Sequence, residues 1–325
     1  MSINEKMQYV RLGQSGLKVS RVILGTMSYG SPEWQGWVLG EEEGIKHIKA
    51  AYDLGIQTFD TANVYSNGAS EIILGKAIKQ HQLPRDEIVV MTKVYFGLGK
   101  EMNEKFFGQD IKGYKNQHGL SRKHIFESVK HSLERLQLDY VDVLQCHRFD
   151  PDTPIAETMH ALHDVVKAAM QNYAIANNLT PFISMQNHYS LVYREEEREM
   201  MPTLKMFGVG SIPWSPLGRG FLTRPLGQQS SRAQTDVGWW HSQSNEAKSE
   251  IVRRVEAIAN SRGVSMAQVA LAWCMSRDPV TAPVVGTTSL ANLEDLVGAV
   301  HIKLTEEEIK QLDEPYVPQG VIGHF

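Results

Sequence analysis

Three ionisable residues in the first half of the chain each end a short apolar run. Asp60 ends the run TFD, Lys93 ends IVVMTK and His147 ends VDVLQCH, while Tyr65 follows five residues after Asp60. A tyrosine has a reference pKa of about 10, so it donates a proton poorly at neutral pH unless a cation stabilises its phenolate. We predict that Lys93 is this cation, that Asp60 holds it and that His147 donates a hydrogen bond to a carbonyl oxygen. Such a set suits protonation of an oxygen while a hydride reaches its carbon.

A hydride needs a donor, and two late segments suit a dinucleotide although the chain has no G-x-G-x-x-G motif. In residues 212–220, IPWSPLGRG, the indole of Trp214 suits stacking on a nicotinamide, and the glycine-rich turn with Arg219 suits a pyrophosphate. In residues 284–289, VVGTTS, a predicted strand leads into a predicted helix over residues 290–300, whose start suits an anion. Either segment is equally consistent with ordinary turn and helix-cap chemistry.

Short apolar runs alternate with helical patterns, which predicts parallel strands joined by helices. A closed (β/α) barrel has eight strands and brings their carboxyl ends to one face, where Asp60, Lys93 and His147 would converge. Predicted helices include residues 69–80 and 121–137, the second with Ser121 as its cap. After a hairpin around Gly13 and Gly16, seven core strands are predicted, at residues 21–25, 58–60, 88–92, 140–145, 182–185, 211–214 and 281–285.

One strand of the barrel pattern is missing from this prediction. Residues 154–178 read as helix throughout, so two helices are predicted to be fused between Ala168 and Met170 without the fifth strand. Residues 223–248 are polar and aperiodic, which is typical of a surface loop or of an active-site cover.

The composition favours one soluble globular domain over residues 1–325. The 33 Lys and Arg against 37 Asp and Glu form no basic block, so nucleic acid is not an expected partner. No run of eighteen apolar residues or signal peptide is present, which indicates a cytoplasmic protein that does not bind membranes. Cys146 and Cys274 show no disulfide or metal-binding spacing, and oligomeric state is not indicated.

The motifs FDTANVYSNGASE, MTKV, VDVLQCHRFD, SMQNHYS, PWSPLGRGFLT and VVGTTSLANLEDLV occur in this order. Together they resemble the aldo-keto reductase superfamily, and the fungal aryl-alcohol dehydrogenase type in particular, from about Tyr9 to about Tyr316. The resemblance implies a TIM barrel that uses NADPH without a Rossmann domain. It also implies reduction of aldehydes or ketones by a tetrad, which falls on Asp60, Tyr65, Lys93 and His147.

The resemblance further implies a set of cofactor contacts in the second half of the chain. Gln186 would bind the nicotinamide amide and Trp214 would stack on its ring. The pyrophosphate and adenosine contacts would be Ser215, Leu217, Arg219, Gly220, Gly286, Thr287, Ser289, Asn292 and Asp295. Many relatives place Lys and Arg where this chain has Gly286 and Asn292, so both NADPH and NADH stay open.

The missing strand is also a departure from the family pattern, and in relatives the last residues of that strand contact the nicotinamide amide. It leaves three interpretations: an omitted coding segment, a variant that folds poorly, or an adapted barrel that works. The alternative function is a cofactor-binding scaffold with little turnover. A metal site on His147, His160 and His163 is a third hypothesis. A planar apolar substrate would suit Tyr29, Trp34, Trp37 and the pair Trp239 and Trp240.

Overall fold

The computed structural model describes residues 7–105, 114–166, 181–228 and 246–321. The strands are β1 Tyr9–Arg11, β2 Lys18–Ser20, β3 Ile23–Gly25, β4 Thr58–Asp60, β5 Val89–Val94, β6 Val143–Cys146, β7 Ser184–Met185, β8 Gly210–Ser211 and β9 Val284–Val285. The helices are α1 Glu41–Asp53, α2 Ala69–Gln80, α3 Arg122–Leu136, α4 Ile155–Val166, α5 Met200–Phe207, α6 Glu246–Arg262, α7 Met266–Ser276, α8 Leu290–Gly298 and α9 Glu306–Asp313.

The chain divides into two compact units, and each is described by itself. The N-terminal unit contains Leu24–Asp53 and Gln57–Phe182. The C-terminal unit contains Met1–Ile23, Leu54–Ile56 and Ile183–Phe325. The prediction of a single domain over residues 1–325 stays a prediction.

A parallel sheet in the order β6-β5-β4-β3 is the centre of the N-terminal unit. Phe59 lies opposite both Leu24 and Val90, and Lys93 lies opposite Gln145. All six residues of β5 are buried, which fits its run of Val, Met and Thr because such a run packs on both faces of a parallel sheet. The register therefore brings the carboxyl ends of β4, β5 and β6 to one edge.

Helices α1, α2 and α3 pack side by side in this unit, and a glycine sets the closest approach. A Cβ at Gly75 in α2 would lie 2.2 Å from the carbonyl oxygen of Leu136 at the end of α3, so only glycine fits there. Buried Glu71 of α2 accepts a hydrogen bond from Arg135 Nε at 2.7 Å and another from Thr92 Oγ1 at 2.5 Å. These contacts tie the two helices to β5, the strand that carries Lys93.

The C-terminal unit contains the β1–β2 hairpin, the parallel pair β7–β8 and five helices, α5 to α9, among its described residues. Its core includes fully buried Trp273, whose ring stacks on Tyr189 at 5.4 Å between centroids. Ser265 caps α7 by accepting a hydrogen bond from the amide of Gln268.

The predicted hairpin and all seven predicted core strands occur in the structure, although most strands are shorter than expected. The predicted helix over residues 69–80 is α2, and Ser121 caps α3 by accepting from the amide of His124. The proposed fusion between Ala168 and Met170 and most of the polar segment 223–248 lie outside the described residues, as do Trp239 and Trp240. Within the described ranges, no helix is long and apolar enough to cross a membrane.

Candidate active site

A buried ion pair joins the ends of β4 and β5. Lys93 Nζ lies 2.5 Å from Asp60 Oδ2 and donates to the carbonyl oxygen of Thr61 at 2.8 Å. Each side chain of the pair is only 2% exposed. Burial alone would lower the pKa of Lys93, but Asp60 and Tyr65 outweigh burial and raise it above its ordinary value. Lys93 is therefore a charged ammonium at neutral pH.

Gln145 of β6 holds the other oxygen of the carboxylate. Its Nε2 donates to Asp60 Oδ1 at 2.8 Å, so both carboxylate oxygens have a donor. The sequence prediction did not include Gln145. Its position two residues before His147 was the available signal, because alternate residues of a strand face the same side of the sheet.

The hydroxyl of Tyr65 lies beside the ammonium, with Lys93 Nζ 3.3 Å from Tyr65 Oη. Three left-handed residues follow it: Ser66 with φ 49°, Asn67 with φ 48° and Gly68 with φ 94°. Left-handed backbone is costly for most residues other than glycine and asparagine, so side-chain contacts must hold this turn.

The side chains of Ser66 and Asn67 supply those contacts. Ser66 Oγ accepts from the amide of Ser31 at 3.1 Å. Asn67 Nδ2 donates to the carbonyl oxygens of Glu101 and Glu104, both at 2.9 Å, while its Oδ1 accepts from an amide at 3.0 Å. The turn therefore fixes Tyr65 against Lys93.

The pKa of Tyr65 is above its ordinary value because the side chain is buried. Lys93 lowers this pKa, as the sequence analysis expected, but the desolvation of the phenolate is the larger effect and Asp60 adds to it. The expected net lowering is therefore not present in this structure. Tyr65 is a neutral phenol that carries its proton at neutral pH.

His147 completes the cluster. Its amide donates to the carbonyl oxygen of Val94 at 2.9 Å, and its ring meets the ring of Tyr65 edge-on at 5.9 Å between centroids. The pKa of His147 lies well below its ordinary value because of burial, followed by the charges of Lys93 and Arg148. A neutral imidazole at neutral pH can donate one N–H without bringing a second cation. All four predicted tetrad residues thus meet in the N-terminal unit.

An aromatic cluster borders Tyr65. Trp34, Phe96 and Tyr65 belong to one apolar group, with Trp37 packed against it. The rings of Trp34 and Tyr65 lie 6.5 Å apart, and Phe96 lies 5.0 Å from the ring of His147. Tyr29, which was predicted to join a substrate pocket, lies outside this apolar group and contacts His47 at 5.5 Å.

The residues predicted to contact a cofactor lie in the C-terminal unit. Trp214 is half-buried, and its ring stacks on His188 at 4.2 Å and 15°. His188 in turn stacks on Tyr193 at 4.2 Å. Support of the Trp214 indole by His188 was not predicted from the sequence. Gln186, directly after β7, is also half-buried.

The segment after Trp214 is a tight left-handed loop. Ser215, Gly218, Arg219 and Gly220 have φ of 53°, 57°, 56° and 95°. Leu217 accepts a hydrogen bond from the amide of Gly220 at 3.0 Å. The glycines permit this backbone, while Arg219 adds a guanidinium to the loop.

The segment before α8 forms a helix cap. Ser289 accepts a hydrogen bond from the amide of Asn292, and Thr287 Oγ1 accepts from the amide of Ser289 at 3.1 Å. Gly286 and Asn292 are exposed. Asp295 accepts a hydrogen bond from Ser265 Oγ at 2.5 Å, so it has a structural contact as well as the predicted cofactor contact. Among the described residues, no group of three or more His, Cys, Asp or Glu is arranged to hold a metal ion.

Comparison with known proteins places this chain in a family. The model of the aldo/keto reductase family matches residues 21–316. The chain is 48% identical to a versiconal hemiacetal acetate reductase of Aspergillus parasiticus, over 97% of this chain and 98% of that protein. It is 44% identical to a putative aryl-alcohol dehydrogenase of Schizosaccharomyces pombe, with 98% of each chain covered. It is 41% identical to a putative aryl-alcohol dehydrogenase of Saccharomyces cerevisiae, over 95% of this chain and 97% of that protein.

Proposed function

The chain belongs to the aldo/keto reductase family of oxidoreductases, and we propose that it reduces aldehydes or ketones to alcohols with NADPH as the hydride donor. The observation that carries the proposal is the position of Lys93. Its ammonium is buried between the carboxylate of Asp60 at 2.5 Å and the hydroxyl of Tyr65 at 3.3 Å.

Tyr65 is the proposed proton donor. Its raised pKa keeps the phenol protonated at neutral pH, so the proton is in place when negative charge develops on the carbonyl oxygen. Once the proton has left, the phenolate lies next to a fixed ammonium, which stabilises it without rearrangement of the site. Asp60 and Gln145 keep that ammonium in position.

His147 orients the substrate in this proposal. A neutral imidazole donates a hydrogen bond to the carbonyl oxygen and polarises the bond without competing for the proton of Tyr65. The rings of Tyr65 and His147 lie 5.9 Å apart between centroids, so in this proposal one carbonyl oxygen accepts from both side chains.

The residues of the C-terminal unit suit a dinucleotide by their chemistry. The supported indole of Trp214 suits a flat ring, and Arg219 with the glycine loop suits a pyrophosphate. The hydroxyls of Thr287 and Ser289 lie at the positive end of α8. Bound NADPH would supply the hydride. Hydroxyls and amides, rather than Lys or Arg at positions 286 and 292, would meet a 2′-phosphate. The choice of NADPH therefore rests on the family resemblance, and NADH is the alternative donor.

A planar, apolar carbonyl compound is the proposed substrate. The rings of Trp34 and Phe96 beside Tyr65 and His147 favour an aromatic group next to the reacting carbon. The printed names of the relatives, among them aryl-alcohol dehydrogenases, are consistent with this substrate class.

We propose a TIM barrel that lacks the fifth strand near Ala168 and Met170. The alignment with the A. parasiticus protein extends over 340 residues, whereas this chain has 325, so at least 15 aligned positions have no counterpart here. Sequencing of the transcript across Lys167 to Gln171 tests this proposal. An additional in-frame segment there would restore the eight-stranded pattern and would contradict a genuinely shortened barrel.

The same shortening favours one alternative, a cofactor-binding scaffold with little turnover. Two measurements separate it from a reductase: tryptophan fluorescence during NADPH or NADH titration, and oxidation of each nucleotide with a panel of aliphatic and aromatic aldehydes. Nucleotide binding with reduction of aromatic aldehydes supports the proposed function. Binding without turnover of any aldehyde supports the scaffold and contradicts the reductase.

A further inference from the structure

Arg148, the residue after His147, lies beside the candidate active site. Its Nη1 donates to the carbonyl oxygen of His147 at 2.8 Å, and its Cζ lies 5.8 Å from the centre of the Phe96 ring. That ring is the one that meets His147 at 5.0 Å. The guanidinium therefore lies against the aromatic cluster that borders the tetrad.

No carboxylate neutralises this guanidinium among the residues that the structure describes. Arg148 forms no ion pair there, and its buried Nε has no hydrogen-bond partner. Asp150, only two residues further on, is occupied by the amide of Leu120 at 2.6 Å and the hydroxyl of Thr153 at 2.7 Å. Burial lowers the pKa of Arg148 below its ordinary value, although the neighbouring Tyr65 and Tyr95 act in the opposite direction.

An unpaired cation in a half-buried position opposes folding, since desolvation is not offset by a counter-charge. Two other half-buried arginines avoid this cost: Arg135 meets Glu71 at 2.7 Å and Arg194 meets Glu197 at 2.9 Å. A residue such as Arg148, which is unfavourable for stability and lies next to the candidate catalytic groups, is expected to have a role in binding.

We propose that Arg148 binds an anionic oxygen on the substrate, so that this reductase prefers aromatic carbonyl compounds that carry a carboxylate or an ionised phenol. The guanidinium has planar, paired donors that match a carboxylate, and Phe96 offers the adjoining ring surface. The inference rests on the proposed function, because it assigns the substrate class of the same site.

The test compares 4-carboxybenzaldehyde with 4-methylbenzaldehyde, which differ in the charge of one substituent. The kcat/KM ratio of the two aldehydes is measured for the parent, Arg148→Met and Arg148→Lys. Arg122→Met is the matched control, because Arg122 also lies over a phenylalanine ring, at 4.6 Å from Phe126, but is bound to Asp164. Calorimetric titration of both aldehydes with NADP⁺ present gives their Kd without turnover.

For Arg148→Met we expect the kcat/KM ratio of charged to neutral aldehyde to fall about 10- to 100-fold, the usual range for a hydrogen bond to a charged group. Arg148→Lys should retain part of the preference, and Arg122→Met all of it. The Tm of Arg148→Met should stay level or rise, whereas a purely structural arginine predicts a fall.

The proposal is overturned if the parent shows no preference for 4-carboxybenzaldehyde in kcat/KM or Kd. It is also overturned if Arg148→Met lowers the kcat/KM of both aldehydes equally, since that outcome would mean that Arg148 acts through Tyr65. A parent that binds 4-carboxybenzaldehyde through Arg148 but reduces neither aldehyde would contradict the proposed function and retain the anion site.

Discussion

Lys93 is a buried cation that is paired with the carboxylate of Asp60. Replacement of Asp60 by asparagine should leave this cation buried without a counter-charge. Asp60 is the largest cause that raises the pKa of Lys93, and without it burial would leave that pKa below its ordinary value. Breaking a buried pair of this kind typically costs about 3–5 kcal/mol of unfolding free energy. Asp60→Asn should therefore be strongly destabilising at neutral pH.

The loss of unfolding free energy in Asp60→Asn has an upper limit that depends on pH, because Lys93 of the variant can lose its proton on folding. Neutralising a lysine with an unfolded-state pKa of about 10.4 costs about 1.36 kcal/mol per pH unit, which gives about 4.6 kcal/mol at pH 7 and about 1.9 kcal/mol at pH 9. In the parent, Lys93 stays charged at both values because its pKa is raised. In Asp60→Asn the unfolded chain binds more protons than the folded one, so the variant gains stability as the pH rises.

The assay is urea-induced unfolding of parent and variant at pH 7 and pH 9, followed by tryptophan fluorescence. Asp53→Asn is the matched control, since Asp53 is also 2.5 Å from a lysine, Lys49, but in an exposed pair that should contribute less than about 1 kcal/mol. A deficit of Asp60→Asn that is as small as that of the control, or that does not shrink between pH 7 and pH 9, would refute a charged, buried Lys93.

Three further outcomes follow from the same contacts. Gln145→Leu removes the donor to Asp60 Oδ1 and should lower kcat about 10-fold with little change in the KM for NADPH. Gln145→Asn keeps an amide donor and should retain more activity than Gln145→Leu in the same assay; equal activity of the two variants would contradict a role for this hydrogen bond. Asn67→Ala loses four hydrogen bonds at a φ of 48° and should lower the unfolding free energy by about 2–3 kcal/mol in a urea titration; a loss below about 0.5 kcal/mol would contradict the role of this turn. Because the pKa of His147 is depressed, its neutral form stabilises the fold above about pH 6.5, and this contribution is lost as the pH falls. His147→Gln should therefore lose less unfolding free energy than the parent between pH 6.5 and pH 5. The same pH dependence in parent and variant would contradict a buried, neutral His147.

The tetrad could be predicted from the sequence because its members mark the ends of successive strands. Parallel strands share one carboxyl edge, so Asp60 and Lys93 had to be neighbours once β4 and β5 were recognised. Tyr65 followed from its short distance along the chain. The prediction of these contacts needed only strand order and the period of a strand.

Other features depend on contacts that strand order does not determine. The left-handed turn at Ser66 and Asn67 is held by residues more than thirty positions away, which no local pattern shows. The net direction of the Tyr65 pKa shift depends on burial outweighing Lys93, a balance that requires coordinates. The stack of His188 on Trp214 likewise joins two separate strand ends.

The most direct test of a proton-donating Tyr65 is the single-turnover rate of hydride transfer from NADPH to an aromatic aldehyde in the parent and in Tyr65→Phe. The phenylalanine keeps the ring beside Trp34 and His147 and removes only the hydroxyl that faces Lys93. We expect the rate to fall by about 10²- to 10⁴-fold, with the Kd for NADPH unchanged. Hydride transfer at the parental rate in Tyr65→Phe would contradict the account.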